Sequence, residues 1–199
     1  WKNRFSGKYY QGIGSYSTWD GFVQVNIGKK NFQSKTRAYH SYSENDFKFR
    51  NKNLPGYPQQ KNKNADFQKY GFTQELYLRA SDKTIISART WYQKAERSVP
   101  TVLSSQSSDT IVSRNNRQYD NTLKAIVEAK TYNTNFNSRF RSGVDFQELD
   151  YIVSTEISGL GKKYPVNSGS EMFTWYNQYS GEYKFSKRFS AKANVNYSY

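Results

Sequence analysis

The sequence predicts an all-β chain that forms an antiparallel meander of about eight or nine long strands. The clearest stretch is residues 69–100, where two alternating runs flank the polar turn Ser81-Asp82-Lys83. In the first run Leu76 and Leu78 alternate with polar or amphipathic residues that include Arg79. Because successive strand residues point to opposite faces, each arm of this hairpin has one apolar and one charged face.

The same alternation marks the remaining strands. Val23, Val25 and Ile27 alternate with polar residues, and Gln74 is the one misfit on the apolar side of the hairpin's first arm. Residues 1–10 are rich in aromatic side chains and precede the first predicted strand. The predicted strands are residues 21–27, 32–43, the two arms of 69–100, 121–132, 136–154, 172–185 and 189–199.

The predicted connections are of two kinds. Tight polar turns are predicted at residues 28–31, 81–83, 133–135 and 186–188. Long loops without a sustained hydrophobic period are predicted at residues 44–66, 99–119 and 157–170. One end of the sheet therefore carries tight turns and the other long loops, as in outer-membrane barrels. The predicted strands are also long enough to cross a bilayer, which takes about 9 to 11 residues.

Charged side chains share one face of the predicted sheet. They are Lys35, Arg37, Glu75, Arg79, Arg89, Lys124, Glu128, Lys130, Arg139, Arg141, Asp145, Glu182, Lys184 and Lys192. A Lys or Arg that faced lipid near the bilayer midplane would cost about 2 to 4 kcal/mol, whereas a wet lumen accommodates it. We therefore expect the sheet to form part of a transmembrane β-barrel. A soluble β-sandwich with one packed face also places its charges on one side and stays the alternative fold.

Aromatic residues gather near the predicted strand ends, as interfacial girdles require. Those near the tight turns are Phe32, Tyr132, Phe136, Phe185 and Phe189. Those toward the loops are Tyr42, Tyr70, Trp91, Tyr92, Tyr151, Phe173 and Trp175. The girdles agree with the barrel prediction.

Composition narrows the class of protein. The 199 residues contain no cysteine, which excludes disulfides and thiolate metal sites, and the net charge is +14. No apolar run approaches the roughly 20 residues of a spanning helix. The chain starts at Trp1 with no signal-peptide pattern, so we expect that its start reflects a cut or processing.

Three runs carry a resemblance to a known family: SENDFKFRN, KNADFQKYGFTQELYLR and SARTWYQKAERSVPTVLS. They resemble the barrel of TonB-dependent outer-membrane receptors of the Bacteroidetes type, the group with vitamin B12 and ferric-siderophore transporters. The resemblance covers roughly residues 14–199 and rests on short runs and strand-loop rhythm. It implies that residues 1–199 are part of a 22-stranded barrel, without the plug domain and the segment that contacts TonB.

The resemblance also implies function, location and partners. The parent protein would be an uptake receptor in the outer membrane of a Gram-negative bacterium, contacting lipid, a plug domain and TonB. Its ligand would be a scarce nutrient such as cobalamin or a ferric siderophore. No nucleic acid is expected as a partner, because the Lys and Arg residues are spread over all strands and loops. Loop aromatics and cations are the candidate ligand-binding rim, because loops on a rigid scaffold often carry recognition. These residues are Phe47, Phe49, Arg50, Tyr57, Arg114, Arg117 and Tyr164.

Other functional classes find less support in the sequence. His40 is the only histidine, so no histidine-based metal cluster or catalytic dyad is expected, and no cofactor or enzyme activity is predicted. Residues 158–163, SGLGKK, lack the spacing of a phosphate-binding loop. Asp145, Glu148 and Asp150 offer oxygen ligands for calcium but fit solvated rim charge better. A complete small eight-stranded barrel with a structural or adhesive role and a soluble basic domain that binds nucleic acid stay the alternatives.

Overall fold

The computed structural model describes residues 4–100, 112–157 and 160–199, and its regular elements are all strands. In chain order they are β1 (Arg4–Gly14), β2 (Thr18–Lys29), β3 (Phe32–Ser43), β4 (Lys48–Arg50), β5 (Gln59–Lys61), β6 (Phe67–Arg79), β7 (Thr84–Ser98), β8 (Val112–Tyr132), β9 (Phe136–Ile157), β10 (Gly161–Lys184) and β11 (Ser190–Ser198). The predicted all-β antiparallel meander is confirmed. No helix among the described residues is long and apolar enough to cross a membrane.

One nine-stranded sheet contains all the long strands, in the order β1-β2-β3-β6-β7-β8-β9-β10-β11. Every neighbouring pair is antiparallel, and β4 and β5 form a separate small hairpin between β3 and β6. The edge strands β1 and β11 consequently run in the same direction, so a direct pair between them would be parallel. Strand β1 was not predicted, since its alternation is interrupted by Gly7 and Gly12.

The sheet exposes its apolar face. Cross-strand partners in register share a face, and the register aligns Leu78 with Ile86, Ile86 with Ala129, and Ala129 with Phe140. Side chains on this face are open to the surroundings; Val127 is 51% exposed and Val195 63%. We call it the apolar face. In the part of the chain that the structure describes, Ala65 is the one buried hydrophobic residue, so the sheet covers no apolar core.

The opposite face, which we call the polar face, is the sheltered one. Gln24, Ser87 and Glu128 point to it from the middle of their strands and are each less than a tenth exposed. Arg79, Arg89, Lys124, Arg139 and Lys192 also lie on this face by strand alternation. A water-soluble protein buries its apolar side chains, whereas this sheet exposes them and shelters polar ones.

The misfit Gln74 is satisfied within the sheet. It lies on the apolar face, where its side chain accepts a hydrogen bond from the Thr36 hydroxyl at 2.7 Å and donates one to Ser34 at 2.9 Å. An unpaired amide in an apolar environment costs several kcal/mol, and these contacts remove much of that cost. One polar residue on the apolar face therefore does not contradict its apolar character.

The tight turns lie where the sequence predicts them. The connections that join β2 to β3, β6 to β7, β8 to β9 and β10 to β11 are all short and lie at one end of the sheet. The first is a two-residue turn of Lys30 and Asn31, in which Lys30 has a φ of 37°. The short β1–β2 turn, residues 15–17, lies at the opposite end together with the 44–66 loop.

Two of the three predicted long loops are shorter than expected. Strand β8 already begins at Val112, so residues 112–119 are strand and not loop. Strand β10 begins at Gly161, so most of the predicted loop 157–170 is strand. There β10 pairs with β9 through backbone hydrogen bonds, with a bulge between Lys163 and Val166 that accommodates Pro165, which has no N–H to donate. Because this extension buries neither face, it carries no hydrophobic period that the sequence could reveal.

The predicted aromatic girdles are partly correct. Seven of them lie on the apolar face: Phe32, Phe136, Tyr42, Tyr70, Tyr92, Phe173 and Trp175. Tyr92, Phe173 and Trp175 lie well inside their strands and not near the ends, and Phe185 and Phe189 lie in the β10–β11 turn. Three others, Tyr132, Trp91 and Tyr151, occupy alternate positions and point to the polar face instead. The face to which an aromatic residue points cannot be predicted from its distance to a strand end. It follows from the residue's place in the strand register.

Candidate functional site

The polar face carries a transverse belt of alternating charge. Lys35, Glu75, Arg89, Glu128 and Arg141 lie on five adjacent strands, β3 and β6 to β9. Lys35 lies opposite Glu75, Glu75 opposite Arg89, and Glu128 opposite Arg141 in the register. Opposite charges on facing positions stabilise a strand pair by about 0.2 to 1 kcal/mol. The belt therefore ties neighbouring strands together on the sheltered side of the sheet.

Glu128 is the centre of this belt. Its side chain is 5% exposed, and its carboxylate accepts hydrogen bonds from Arg141 at 2.8 Å and 3.2 Å. Lys130 lies at 3.0 Å, Arg139 at 3.5 Å and Arg89 at 3.7 Å from the same carboxylate. One carboxylate is thus shared by four cations. A buried carboxylate needs such partners, since an isolated buried charge is strongly unfavourable.

A groove with aromatic walls lies beside the belt on the polar face. Tyr39, Trp91 and Tyr176 line it, together with the ion pair of Lys124 and Asp145 at 2.8 Å, and its volume is about 550 Å³. The Tyr39 hydroxyl donates to the Gln93 side chain at 2.8 Å. Aromatic walls with a few fixed polar groups are the usual composition of a ligand-binding surface.

Glycines make room for two of these rings. Tyr39 lies across from Gly71 in the register, and Tyr176 lies across from Gly143. A Cβ at either glycine would overlap the facing tyrosine ring. The rings therefore lie flat against the neighbouring strand, and only glycine permits that approach.

The predicted rim residues fall into separate groups. Phe47, Phe49, Arg50 and Tyr57 lie on or beside the β4–β5 hairpin, within the 44–66 connection. The Phe47 ring contacts Phe49, with centroids 6.2 Å apart, and Tyr16 of the β1–β2 turn, with centroids 6.1 Å apart. Tyr57 is 61% exposed and has a positive φ of 49°. The structure thus places an aromatic cluster of Tyr16, Phe47 and Phe49 at the loop end.

Polar contacts hold the β4–β5 hairpin in shape. Asn51, 1% exposed, donates to the Gln60 side chain at 2.9 Å, and its backbone N–H donates to Pro58 at 3.0 Å. Lys61 pairs with Asp46, and that hydrogen bond raises the pKa of the Lys61 amine. The hairpin therefore presents Phe49, Arg50 and Tyr57 from an ordered element.

The other three rim residues do not lie in loops. Arg114 and Arg117 belong to β8 and Tyr164 belongs to β10. Arg117 forms ion pairs with Glu96 and, at 3.8 Å, with Asp66, so its charge is already engaged in joining β8 to β7 and to the residue that precedes β6. The Lys162 amine lies 5.5 Å from the centre of the Tyr164 ring. These residues were predicted as loop because their strand segments lack apolar periodicity.

The remaining candidates of the sequence do not form a common site, and the Nδ1 of His40 is buried without a hydrogen-bond partner. His40 lies on the apolar face near the loop end, with its ring 4.9 Å from Trp19 and its Nε2 3.0 Å from the Gln68 amide. Asp145 points to the polar face, whereas Glu148 and Asp150 point to the apolar one. Across residues 4–100, 112–157 and 160–199, no group of three acidic or histidine side chains lies close enough to hold a metal ion.

The sequence did not single out the Glu128 cluster as a site. It placed each member on the charged face, but the convergence of four cations on one carboxylate depends on the register of β7, β8 and β9. A usable signal was present in the spacing of Glu128 and Lys130 opposite Arg139 and Arg141 across a three-residue turn. No protein-family model matches the chain, and no curated protein matches it either.

Proposed function

We propose that this chain forms part of the wall of an outer-membrane β-barrel of the TonB-dependent receptor type, in a Gram-negative bacterium. In this proposal the parent protein takes up a scarce nutrient such as cobalamin or a ferric siderophore, with a plug domain and TonB as partners. The observation that carries the proposal is the inverted sheet, which exposes apolar side chains and shelters polar ones, among them the charged Glu128. Lipid against one face and a wet interior against the other would satisfy both faces.

The distribution of turns and loops between the two ends of the sheet supports the same proposal. Four tight turns lie at one end, whereas the β4–β5 hairpin with its exposed aromatic and cationic residues lies at the other, together with the short β1–β2 turn. Outer-membrane barrels place short turns on the periplasmic side and longer loops outside. The proposal therefore assigns ligand capture to the loop end, with Phe49, Arg50 and Tyr57 as its first contacts.

Membrane orientation is tested with single-tryptophan variants in liposomes that contain brominated lipid, a contact quencher of indole fluorescence. Trp175 lies on the apolar face and Trp91 on the polar face. We expect strong quenching of the variant that keeps only Trp175 and weak quenching of the variant that keeps only Trp91. Equal quenching of both, or none of either, would contradict a lipid-facing apolar face.

Ligand capture is tested in the full-length parent receptor. Replacing residues 46–64 by a short Gly-Ser linker removes the β4–β5 hairpin and leaves β3 and β6 intact. We expect cobalamin or ferric-siderophore binding to weaken at least tenfold while heat-modifiable migration on gels is kept. A linker inserted instead at the Lys30-Asn31 turn is the control and should leave binding unchanged. Unchanged affinity after hairpin removal would contradict the assignment of the loop end.

A further inference from the structure

The cations around Glu128 outnumber the carboxylates that can neutralise them. Arg89, Lys130, Arg139 and Arg141 share Glu128, and Lys192 pairs with Glu182 at 3.6 Å. These five cations and two carboxylates leave a net charge of +3 on one patch of the polar face. We call the seven residues the cationic patch. Cations this close repel one another, and partial burial strengthens that repulsion.

The cationic patch borders a pocket on the polar face. Lys130, Arg139 and Lys192 line a pocket of about 310 Å³, and Glu182 lies in the same wall. Asn137, Ser180 and Asn194 also line the pocket and add neutral hydrogen-bonding groups on the polar face. Amide N–H and hydroxyl groups donate hydrogen bonds to oxyanions, and lysine and arginine add charge-assisted ones.

A buried hydrogen-bond donor without a partner lies on the side of Glu128 away from the pocket. The Nε of Arg89 is buried and has no hydrogen-bond partner, although its NH2 group lies 3.7 Å from Glu128. The guanidinium offers five N–H donors, and leaving a buried donor unmet is unfavourable. Glu128 alone therefore does not satisfy the cations that surround it.

We propose that the cationic patch is a binding site for a small multivalent oxyanion, of the chemical class of pyrophosphate. The anion binds in the pocket between Lys130, Arg139 and Lys192 and competes with Glu128 for the first two. The net positive charge of the patch concentrates anions there. This inference goes beyond the proposed uptake function and does not depend on it, because it rests on the polar face alone.

The test is isothermal titration calorimetry of pyrophosphate into the full chain in a non-ionic detergent at 0.15 M salt. Arg139→Gln and Lys192→Gln should each weaken binding at least fivefold. The matched control is Arg37→Gln, which removes one positive charge from the same face in β3, four strands from β9 in the sheet order. The control should change the affinity less than twofold.

A second variant distinguishes a specific pyrophosphate site from the nonspecific attraction of anions to a basic protein. Glu128→Gln removes the competing carboxylate and should tighten pyrophosphate binding at least fivefold, with a larger rise in melting temperature on adding pyrophosphate than in the unchanged chain. A specific site predicts opposite effects of Glu128→Gln and Arg139→Gln. Equal weakening by Arg37→Gln and Arg139→Gln, no gain with Glu128→Gln, or no pyrophosphate binding would each overturn the proposal.

Discussion

At the scale of single residues, the two glycines under tyrosine rings show how closely the polar face is packed. Tyr39 occupies the space above Gly71 that any other residue's Cβ would fill. The Tyr39 hydroxyl is held by Gln93 of β7, so the ring spans from β3 across β6. The ring therefore links three neighbouring strands of the sheet.

We predict that Gly71→Ala destabilises the protein by about 1 to 3 kcal/mol, the usual cost of overpacking. The added methyl group displaces the Tyr39 ring and breaks its hydrogen bond to Gln93. Unfolding in urea, with the protein in detergent, measures the change. Gly7→Ala is the control, since its Cβ would meet the nearest atom at an ordinary 3.7 Å. In a Tyr39→Ser background Gly71→Ala should cost clearly less, and an undiminished cost would show that the ring is not the cause.

Glu128 is the second decisive residue. Glu128→Gln should lower the free energy of unfolding by about 1 to 3 kcal/mol, because Arg89, Lys130, Arg139 and Arg141 lose their shared counter-charge. The four cations are each 26% to 44% exposed, so solvent screens part of this loss. Urea unfolding at low and high salt measures it, and the loss should shrink as salt rises. A loss that is independent of salt would indicate lost packing.

At the scale of strands, β6 shows how one element serves two environments. Leu76 points to the apolar face and is 36% exposed, whereas its neighbour Tyr77 points to the polar face and donates to Glu75 at 2.8 Å. The two residues are adjacent in sequence, but their side chains lie on opposite faces of the sheet. Strand alternation therefore makes adjacent substitutions a sensitive test of the two faces.

We predict that the same substitution has costs of different size at these two positions. If the apolar face lies against lipid, as proposed, Leu76→Arg should destabilise the protein in a lipid bilayer by about 2 to 4 kcal/mol, because the guanidinium would face lipid. Tyr77→Arg should cost less than half as much, since Glu75 can pair with the new cation. Reversible unfolding from liposomes measures both. If the two variants were equally stable, the apolar face would not be in lipid.

At the scale of the whole molecule, the sheet has two open edges and one exposed apolar face. The edge strands β1 and β11 run in the same direction, and within the described part of the chain each pairs with one neighbour and leaves its other side unpaired. Open edges and apolar surface both promote association with other chains. The cohesion of this chain therefore depends on its surroundings more than on an internal core.

We expect the purified 199-residue chain to self-associate in water and to need detergent for solubility. Analytical ultracentrifugation in detergent, with limited proteolysis beside it, measures the state of the chain. Oligomers or ready digestion agree with a section of a larger barrel wall. A compact, protease-resistant monomer would instead favour a small closed barrel, with β1 and β11 paired in parallel.

The sequence by itself determined most of the long strands and their two faces, but not β1 or the extensions of β8 and β10. Alternation is a local property, so Leu76, Leu78, Val127 and Val195 could be assigned to one face without knowledge of their neighbours. The same reasoning placed Arg89, Lys124 and Arg139 on the other face. The tight turns could also be predicted from local sequence, because polar turn residues interrupt the alternation of apolar and polar side chains.

The features that depend on cross-strand neighbours were decided only by the tertiary structure. The extensions of β8 and β10 are held by backbone pairing with β9, and such pairing requires no particular side chains. The burial of Glu128 among four cations and the fit of Tyr39 over Gly71 depend on the register between strands. Alternation fixes the face of a residue, whereas its cross-strand neighbour is fixed by how separate segments align in three dimensions.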